Sequence, residues 1–338
     1  MTLRVALVGY GLAGRVIHRP LLVAEPGLTV THVVTADVGR REQALAELPG
    51  IRLLADVEQL WACADEVDAV VVASPNTSHL PVALGALARG KATVVDKPLA
   101  LSSTDAALLA ERSASLGVPL AVFQNRRWDS DTLTARELLE QGALGEVLRL
   151  ESRFARFRPQ VALRWREDVD AGGGVLLDLG SHVVDQALHL LGPALEVYAE
   201  VDVRRAAGTA DDDCFLALRH AGGARSHLWC SMAAPYPLPR LVLQGTRGGW
   251  AKDDLDGQED AQRRGVPAPP EPAGRLWDEE GEHAYPSLPG DWGAFYRGFV
   301  ACVVRGAPVP VGALEAVRVL RVLEAARVSA RERRVVAL

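Results

Sequence analysis

Leu3-Arg4-Val5-Ala6-Leu7-Val8-Gly9-Tyr10-Gly11-Leu12-Ala13-Gly14 opens the chain, and its reading decides the fold. A short apolar run without alternation predicts a strand buried on both faces; the glycines follow at once, and the amphipathic stretch Ala13–Ala24 predicts a helix. Strand, glycine turn and helix in this order are the context that a dinucleotide fingerprint requires. Gly9 permits the tight turn, Gly11 lets a pyrophosphate approach the backbone, and Gly14 permits close helix–sheet packing, with Tyr10 and Leu12 between them. The helix N-terminus adds N–H donors and the positive end of a dipole. The alternatives are a glycine turn without a ligand or a methyltransferase-type nucleotide site.

The grammar repeats outward from this turn. Leu28–Val34, Ala69–Ala73, Thr93–Val95 and Leu120–Phe123 read as further buried strands, with helices over Arg40–Leu48, Leu80–Arg89 and from Ser102 to Leu116, where Gly117 and Pro119 stop the last. Unalternating strands between helices predict a doubly wound parallel sheet covered on both faces, occupying 1–123. From about Asp131 the pattern changes: a helix to Gln141, a strand over Glu146–Phe157, an apolar helix over Val175–Leu191, then strand-like Leu195–Arg204 and Cys214–Arg219. This predicts an α+β domain with a mixed or antiparallel sheet over 124–338, closed by helices over Trp292–Val304 and Leu314–Arg331. Asp253–Pro272, rich in acidic residues, Gly and Pro, reads as an exposed excursion without assigned structure.

Composition narrows the function classes. The 338 residues suit two domains, and 49% hydrophobic against 24% charged residues exclude a disordered or low-complexity chain. A net charge of −6 supplies no basic field for nucleic acid or anionic lipid, and no apolar run reaches the roughly 18–20 residues that span a bilayer. Four scattered cysteines without a CxxC pair suit reduced thiols, and with no leader-like N-terminus they predict a cytoplasmic protein. Lysine occurs only at 91, 97 and 252.

Four more stretches carry chemistry. Thr35, Asp37 and Arg40 follow the second strand, where an adenosine ribose would lie. Asp37 at the tip would select NAD, whereas Thr35 with Arg40 would accommodate the 2′-phosphate of NADP, the reading we favour. Ser74-Pro75-Asn76-Thr77-Ser78-His79 follows the third buried strand at the same edge, so Ser74, Pro75, Asn76 and His79 are cofactor candidates, or an ordinary strand-to-helix turn. Asp96-Lys97-Pro98 puts an amine there too, able to share a proton with a substrate hydroxyl, or salt-bridged to Asp96 at the surface. On the apolar helix Asp178, His182, Asp185 and His189 form one polar stripe. His182 suits acid–base work with Asp178 orienting it; a satisfied core histidine is the bland alternative, and no matched cluster supports a metal.

Gly9-x-Gly11-x-x-Gly14, Asp96-Lys97-Pro98 and Gly172–Asp185, in this order and spacing, resemble the Gfo/Idh/MocA family of sugar and polyol oxidoreductases over essentially the whole chain. Val122–Asp131 and Arg156–Gln160 are similar to its branch of NADP-dependent scyllo-inositol dehydrogenases, although that branch usually has His at Gln124 and the family usually has Glu at Asp96. The resemblance implies a Rossmann domain followed by an α+β domain with a large open sheet used for dimer or tetramer contacts. It implies hydride transfer between nicotinamide and a carbinol carbon of a cyclitol or sugar. It also implies Lys97, Asp178 and His182 as catalytic residues, Trp165 and Arg166 beside the cofactor, and Asn125 and Arg126 reading substrate hydroxyls. A noncatalytic dinucleotide or sugar sensor of the same fold is the alternative.

Overall fold

The computed structural model describes residues 2–161, 167 and 173–338. Its first sheet is built from β1 (Leu3–Val8), β2 (Leu28–Val34), β3 (Arg52–Leu54), β4 (Ala69–Val72), β5 (Ala92–Asp96) and β6 (Leu120–Phe123), all parallel in the order β3-β2-β1-β4-β5-β6. The helices between them are α1 (Arg19–Ala24), α2 (Val38–Glu47), α3 (Val57–Ala62), α4 (His79–Ala88) and α5 (Ser103–Leu116). β4 and β6 are buried throughout, as unalternating sequence required. The strand order reverses direction between β1 and β4, and ligands of open α/β sheets bind in the crevice at such a switch point, beyond the carboxyl ends of the strands. α5 begins and ends on sequence signals: the Ser102 hydroxyl accepts the Asp105 N–H, and Gly117 adopts the left-handed conformation at φ 63°.

Beyond β6 follow α6 (Ser130–Glu140), β7 (Val147–Ala155), α7 (Val175–Asp178), α8 (Gly180–Leu191), β8 (Ala194–Asp202), β9 (Asp213–His220), β10 (Arg225–Ser231), β11 (Leu241–Gly245) and β12 (Gly249–Lys252). Then come α9 (Gln258–Arg264), β13 (Gly274–Asp278), β14 (Gly281–Tyr285), α10 (Gly293–Arg305), α11 (Ala313–Glu332) and β15 (Val336–Ala337). Nine of these strands form a second sheet, ordered β14-β13-β12-β11-β7-β10-β9-β8-β15; only β7 and β10 pair in parallel, so the sheet is mixed, as expected. α8 packs on β7 and β10, over the buried Leu228 and Cys230, and α7 on β9. The alternate positions face outward and carry cross-strand pairs such as Arg219 with Glu196 at 2.7 Å, and Arg153 stacked 4.2 Å over Trp229.

The chain resolves into two compact units. One runs to Asn125 and takes up Gln258–Ala268 and Trp292–Val317 again later; the other holds Arg126–Gly257, Pro269–Asp291 and Arg318–Leu338. In the first unit α10 packs on α1, and Ala121 of β6 bridges Gly312. Asp253–Pro272, expected as an exposed excursion, is corrected here: it contains α9 with Ala261 buried. Two of its acidic residues are internal partners. Asp256 accepts the Ser130 N–H at 2.8 Å, and Glu271 lies 3.3 Å from the buried Lys252 ammonium. Acidic, Gly-rich composition concealed this because the partners lie far off in sequence. The expected helix Val175–Leu191 also differs, being interrupted at Leu179 between α7 and α8.

Candidate active site

The glycine turn is shaped by close backbone approach. Gly9 has φ 98°, and a Cβ there would fall 2.6 Å from the Ala73 carbonyl oxygen; at Gly14 it would fall 2.0 Å from the oxygen of Gly9. At Gly11 a Cβ would meet only the Arg40 guanidinium, at 3.7 Å, so this glycine leaves the approach to the turn open. The following segment, Leu12–His18, is a wide π-helical turn, with the Arg19 N–H donating to Gly14 O. Leu12 is exposed beside it. Tyr10 is buried instead, its hydroxyl donating to Glu47 at 2.8 Å while Arg15 grips the same carboxylate at 2.6 Å. Burial, then the Glu47 bond and charge, push the Tyr10 phenol upward, so it stays a neutral donor fastening α2 to the turn. These features fit a dinucleotide: backbone shapes the turn, and any side chain at Gly9 or Gly14 would collapse it.

At the end of β2, Thr35 is buried and Asp37 caps α2, its Oδ1 accepting the Arg40 N–H at 2.8 Å. Asp37 is thereby turned into the helix start. After β4, the Ser74 and Ser78 hydroxyls bond at 2.6 Å and Ser78 donates to the Pro75 carbonyl at 2.7 Å, which closes a tight turn with Pro75 exposed and Asn76 half-buried. The His79 ring lies beneath it, Nδ1 at 2.8 Å from Pro98 O and Nε2 at 3.0 Å from Ser74 O. His79 thus ties the β4 turn to the β5 turn. Lys97 is half-buried directly after β5, and its N–H donates to the Asp96 carboxylate at 2.8 Å. Because β1, β4 and β5 are parallel neighbours, the glycine turn, the Ser74 turn and Lys97 stand side by side along one edge.

Among the described residues one group could offer metal ligands, His32, Cys63 and Glu66, with ligand atoms within 4.8 Å of one another. Its own neighbours satisfy it: Arg52 donates to both Glu66 oxygens at 2.9 and 3.0 Å, and the Cys63 thiol donates to Gln59 O at 3.3 Å.

In the second unit Asp178 ends α7, half-buried, and His182 lies buried in the first turn of α8. The polar stripe is not uniform. Asp185 is taken up by Arg127 through two bonds of 2.8 and 2.6 Å, both side chains buried, and is a structural anchor. Arg126, the candidate for reading substrate hydroxyls, pairs with Asp129 at 2.9 Å and lies over the Phe154 ring. Asn125 is buried at the end of the first unit. Trp165 and Arg166, the remaining cofactor candidates, lie outside the described residues.

Comparison with known proteins places this arrangement. The profile described as an oxidoreductase family with an NAD-binding Rossmann fold matches residues 3–124, and that of the GFO/IDH/MocA C-terminal domain matches residues 132–251. The oxidoreductase YdgJ of Escherichia coli is 35% identical over 98% of this chain and 97% of its own. The chain belongs to the Gfo/Idh/MocA oxidoreductase family. The NADP-dependent scyllo-inositol 2-dehydrogenase IolW of Bacillus subtilis is similar to it at 32% identity, over 100% of this chain and 96% of its own. The solved oxidoreductase yvaA of Bacillus subtilis superimposes with a TM-score of 0.94 at 31% identity, covering 100% of this chain and 98% of that one. The resemblance drawn from the glycine, lysine and histidine motifs is therefore borne out.

Within this Gfo/Idh/MocA chain, motif reading missed residues packed around His182. Phe154 is the centre of the second unit's polar core: Arg126, Arg156 and Arg240 lie 4.8, 5.1 and 5.6 Å from its ring centre, and the His182 ring stacks on it at 6.4 Å. Arg240 donates to Ser152 and to Gln186 at 2.7 Å, and lies 3.2 Å from Asp131. The inward alternation Leu150, Ser152, Phe154 along β7 was a readable signal for Phe154; its stacking on a histidine 28 positions later was not.

Proposed function

We propose that this oxidoreductase is an NADP-dependent dehydrogenase acting on a CH–OH carbon of a cyclitol or sugar, with a scyllo-inositol-like polyol favoured. The observation that carries the reading is the shared edge of the first sheet, where an open glycine turn and a strand-end lysine flank the switch point between β1 and β4. When bound there, the dinucleotide supplies the acceptor for the hydride of the carbinol carbon. NADP is favoured over NAD because the Asp37 carboxylate is engaged as a helix cap while the Arg40 guanidinium reaches over Gly11. The name of the relative IolW points the same way.

In this reading Gly9, Tyr10, Gly11, Leu12 and Gly14 hold the pyrophosphate through the turn's backbone, Thr35 and Arg40 the adenosine end, and Ser74, Pro75, Asn76 and His79 the neighbouring turn. Lys97 steadies the reacting oxygen, His182 takes the hydroxyl proton, and Asp178 orients ring or substrate. Asn125 and Arg126 read further hydroxyls, and Trp165 and Arg166 complete the cofactor pocket. The protein works as a cytoplasmic homodimer or homotetramer on a small molecule, with no nucleic acid or membrane partner.

The test is purified protein with NADP and a polyol panel including scyllo-inositol, followed at about 340 nm, the reduced-nicotinamide band. Turnover well above a Lys97→Ala control is expected. Tight NADP binding by tryptophan fluorescence without turnover on any polyol would overturn the enzyme reading in favour of a sensor.

A further inference from the structure

We infer that a chain of side chains, the buried Tyr296 and His18 and the half-buried Asp96, positions Lys97, with His18 as its central positioning residue. All four belong to the first unit. His18 is fully buried. Its Nδ1 lies 2.6 Å from the Tyr296 hydroxyl, and its Nε2 lies 3.8 Å from Asp96 Oδ2. The other Asp96 oxygen, Oδ1, accepts the Lys97 N–H. One carboxylate therefore lies between the peptide that carries the lysine and a ring buried in the core, bonded to the first and close to the second but beyond hydrogen-bond distance.

The chain has little freedom to move. The His18 ring lies 4.3 Å from Phe123, and Phe123 meets Phe295 edge-on at 4.9 Å. Burial would raise Asp96, yet His18, Lys97 and His79 outweigh it and hold the carboxyl below its usual range. Burial and then the Asp96 charge push the Tyr296 phenol well above its ordinary value, so the hydroxyl stays neutral. With Tyr296 donating to Nδ1, the ring proton sits on Nε2, the nitrogen that lies 3.8 Å from Asp96. Phenylalanine and leucine would fill the same core without burying these polar atoms, each of which is costly to desolvate. The polar version adds a carboxylate bonded to the Lys97 N–H.

The role assigned to Lys97 comes from the proposed function, so the test has one arm that needs turnover and one that does not. In Tyr296→Phe and His18→Gln, kcat on the polyol is expected to fall about tenfold or more with KM for NADP nearly unchanged, because a misplaced catalytic group costs rate before binding. Independently, trinitrobenzenesulfonate labelling of Lys97 relative to Lys91, read by peptide mass spectrometry, is expected to shift by about threefold or more as the lysine loses its fixed orientation. The chain has only three lysines, so the measurement is clean. Circular dichroism selects the folded variants, and Asp96→Asn, nearly isosteric, serves if the larger changes do not fold. Unchanged Lys97 labelling in the folded variants would overturn the inference, whatever the turnover. A labelling shift without polyol turnover by the wild-type protein would uphold it and reject the substrate reading instead.

Discussion

The carboxyl edge of the first unit and the interior of the second handle charge in opposite ways. The carboxyl edge of the first sheet presents backbone and exposed groups: glycines shaped by close approach, an Asp37 engaged as a cap, and Arg40 reaching out over Gly11. Inside the second unit, charges are buried in matched pairs, Arg127 with Asp185, Arg126 with Asp129, Arg240 with Asp131 and Lys252 with Glu271. The lesson is that the same residue types are adaptable where water remains and obligatory where it is excluded. A buried ion without its partner keeps its desolvation cost and loses its attraction.

Four experiments would break or sharpen this contrast. At the exposed edge, Lys97→Ala is expected to lower kcat for polyol oxidation by about a thousandfold, the range of a lost acid–base group, with NADP affinity nearly unchanged in fluorescence titration. An equal loss of cofactor affinity would make Lys97 a binding residue. In the interior, Asp185→Ala should lower the unfolding free energy by about 3 kcal/mol, measured by urea titration, because Arg127 is left buried and uncompensated. An unchanged urea midpoint would show that this interior tolerates lone charges and would erase the distinction.

Arg40→Ala probes the exposed side with a smaller effect: NADP affinity should fall about tenfold while NAD affinity holds, as for a charge-assisted bond to phosphate in water. Equal loss for both cofactors would sink the 2′-phosphate reading. The smallest effect concerns His220, fully buried with its ring between Gly192 O at 2.8 Å and the Ser226 hydroxyl at 2.6 Å, where burial lowers its pKa below the ordinary 6.5. The unfolded chain takes up this proton first, so the contribution is present above pH 6.5 and is lost as pH falls from there toward the folded value. Urea midpoints should decline between pH 7.5 and 5.5 (about one unit on either side of the histidine range), and less steeply in His220→Gln. Parallel declines in both proteins would show that His220 takes no part.

The first unit was largely legible because its signals are local. Gly9, Gly11 and Gly14 sit in consecutive turns of chain, Ser102 and Gly117 mark their own helix, and apolar strands announce a covered parallel sheet. Asp37 was ambiguous in the sequence because a carboxylate at that position can face a ribose or cap a helix, and the dihedral angles of one residue separate the two. The second unit was less legible. The break at Leu179 leaves no composition signal, and Asp185 read as part of a functional stripe until Arg127, 58 residues away, was seen to hold it.

Sequence by itself determined the layered class of both units, the glycine turn and the positions of Lys97, Asp178 and His182 along the chain, because caps, turns and hydrophobic period act over a few residues. Only the tertiary structure decided which polar groups stay available and which are fastened: His18 to Tyr296, His79 to two carbonyls, Asp185 to Arg127. These pairings join residues up to 278 positions apart, and no local propensity encodes a partner that only the folded backbone brings within reach.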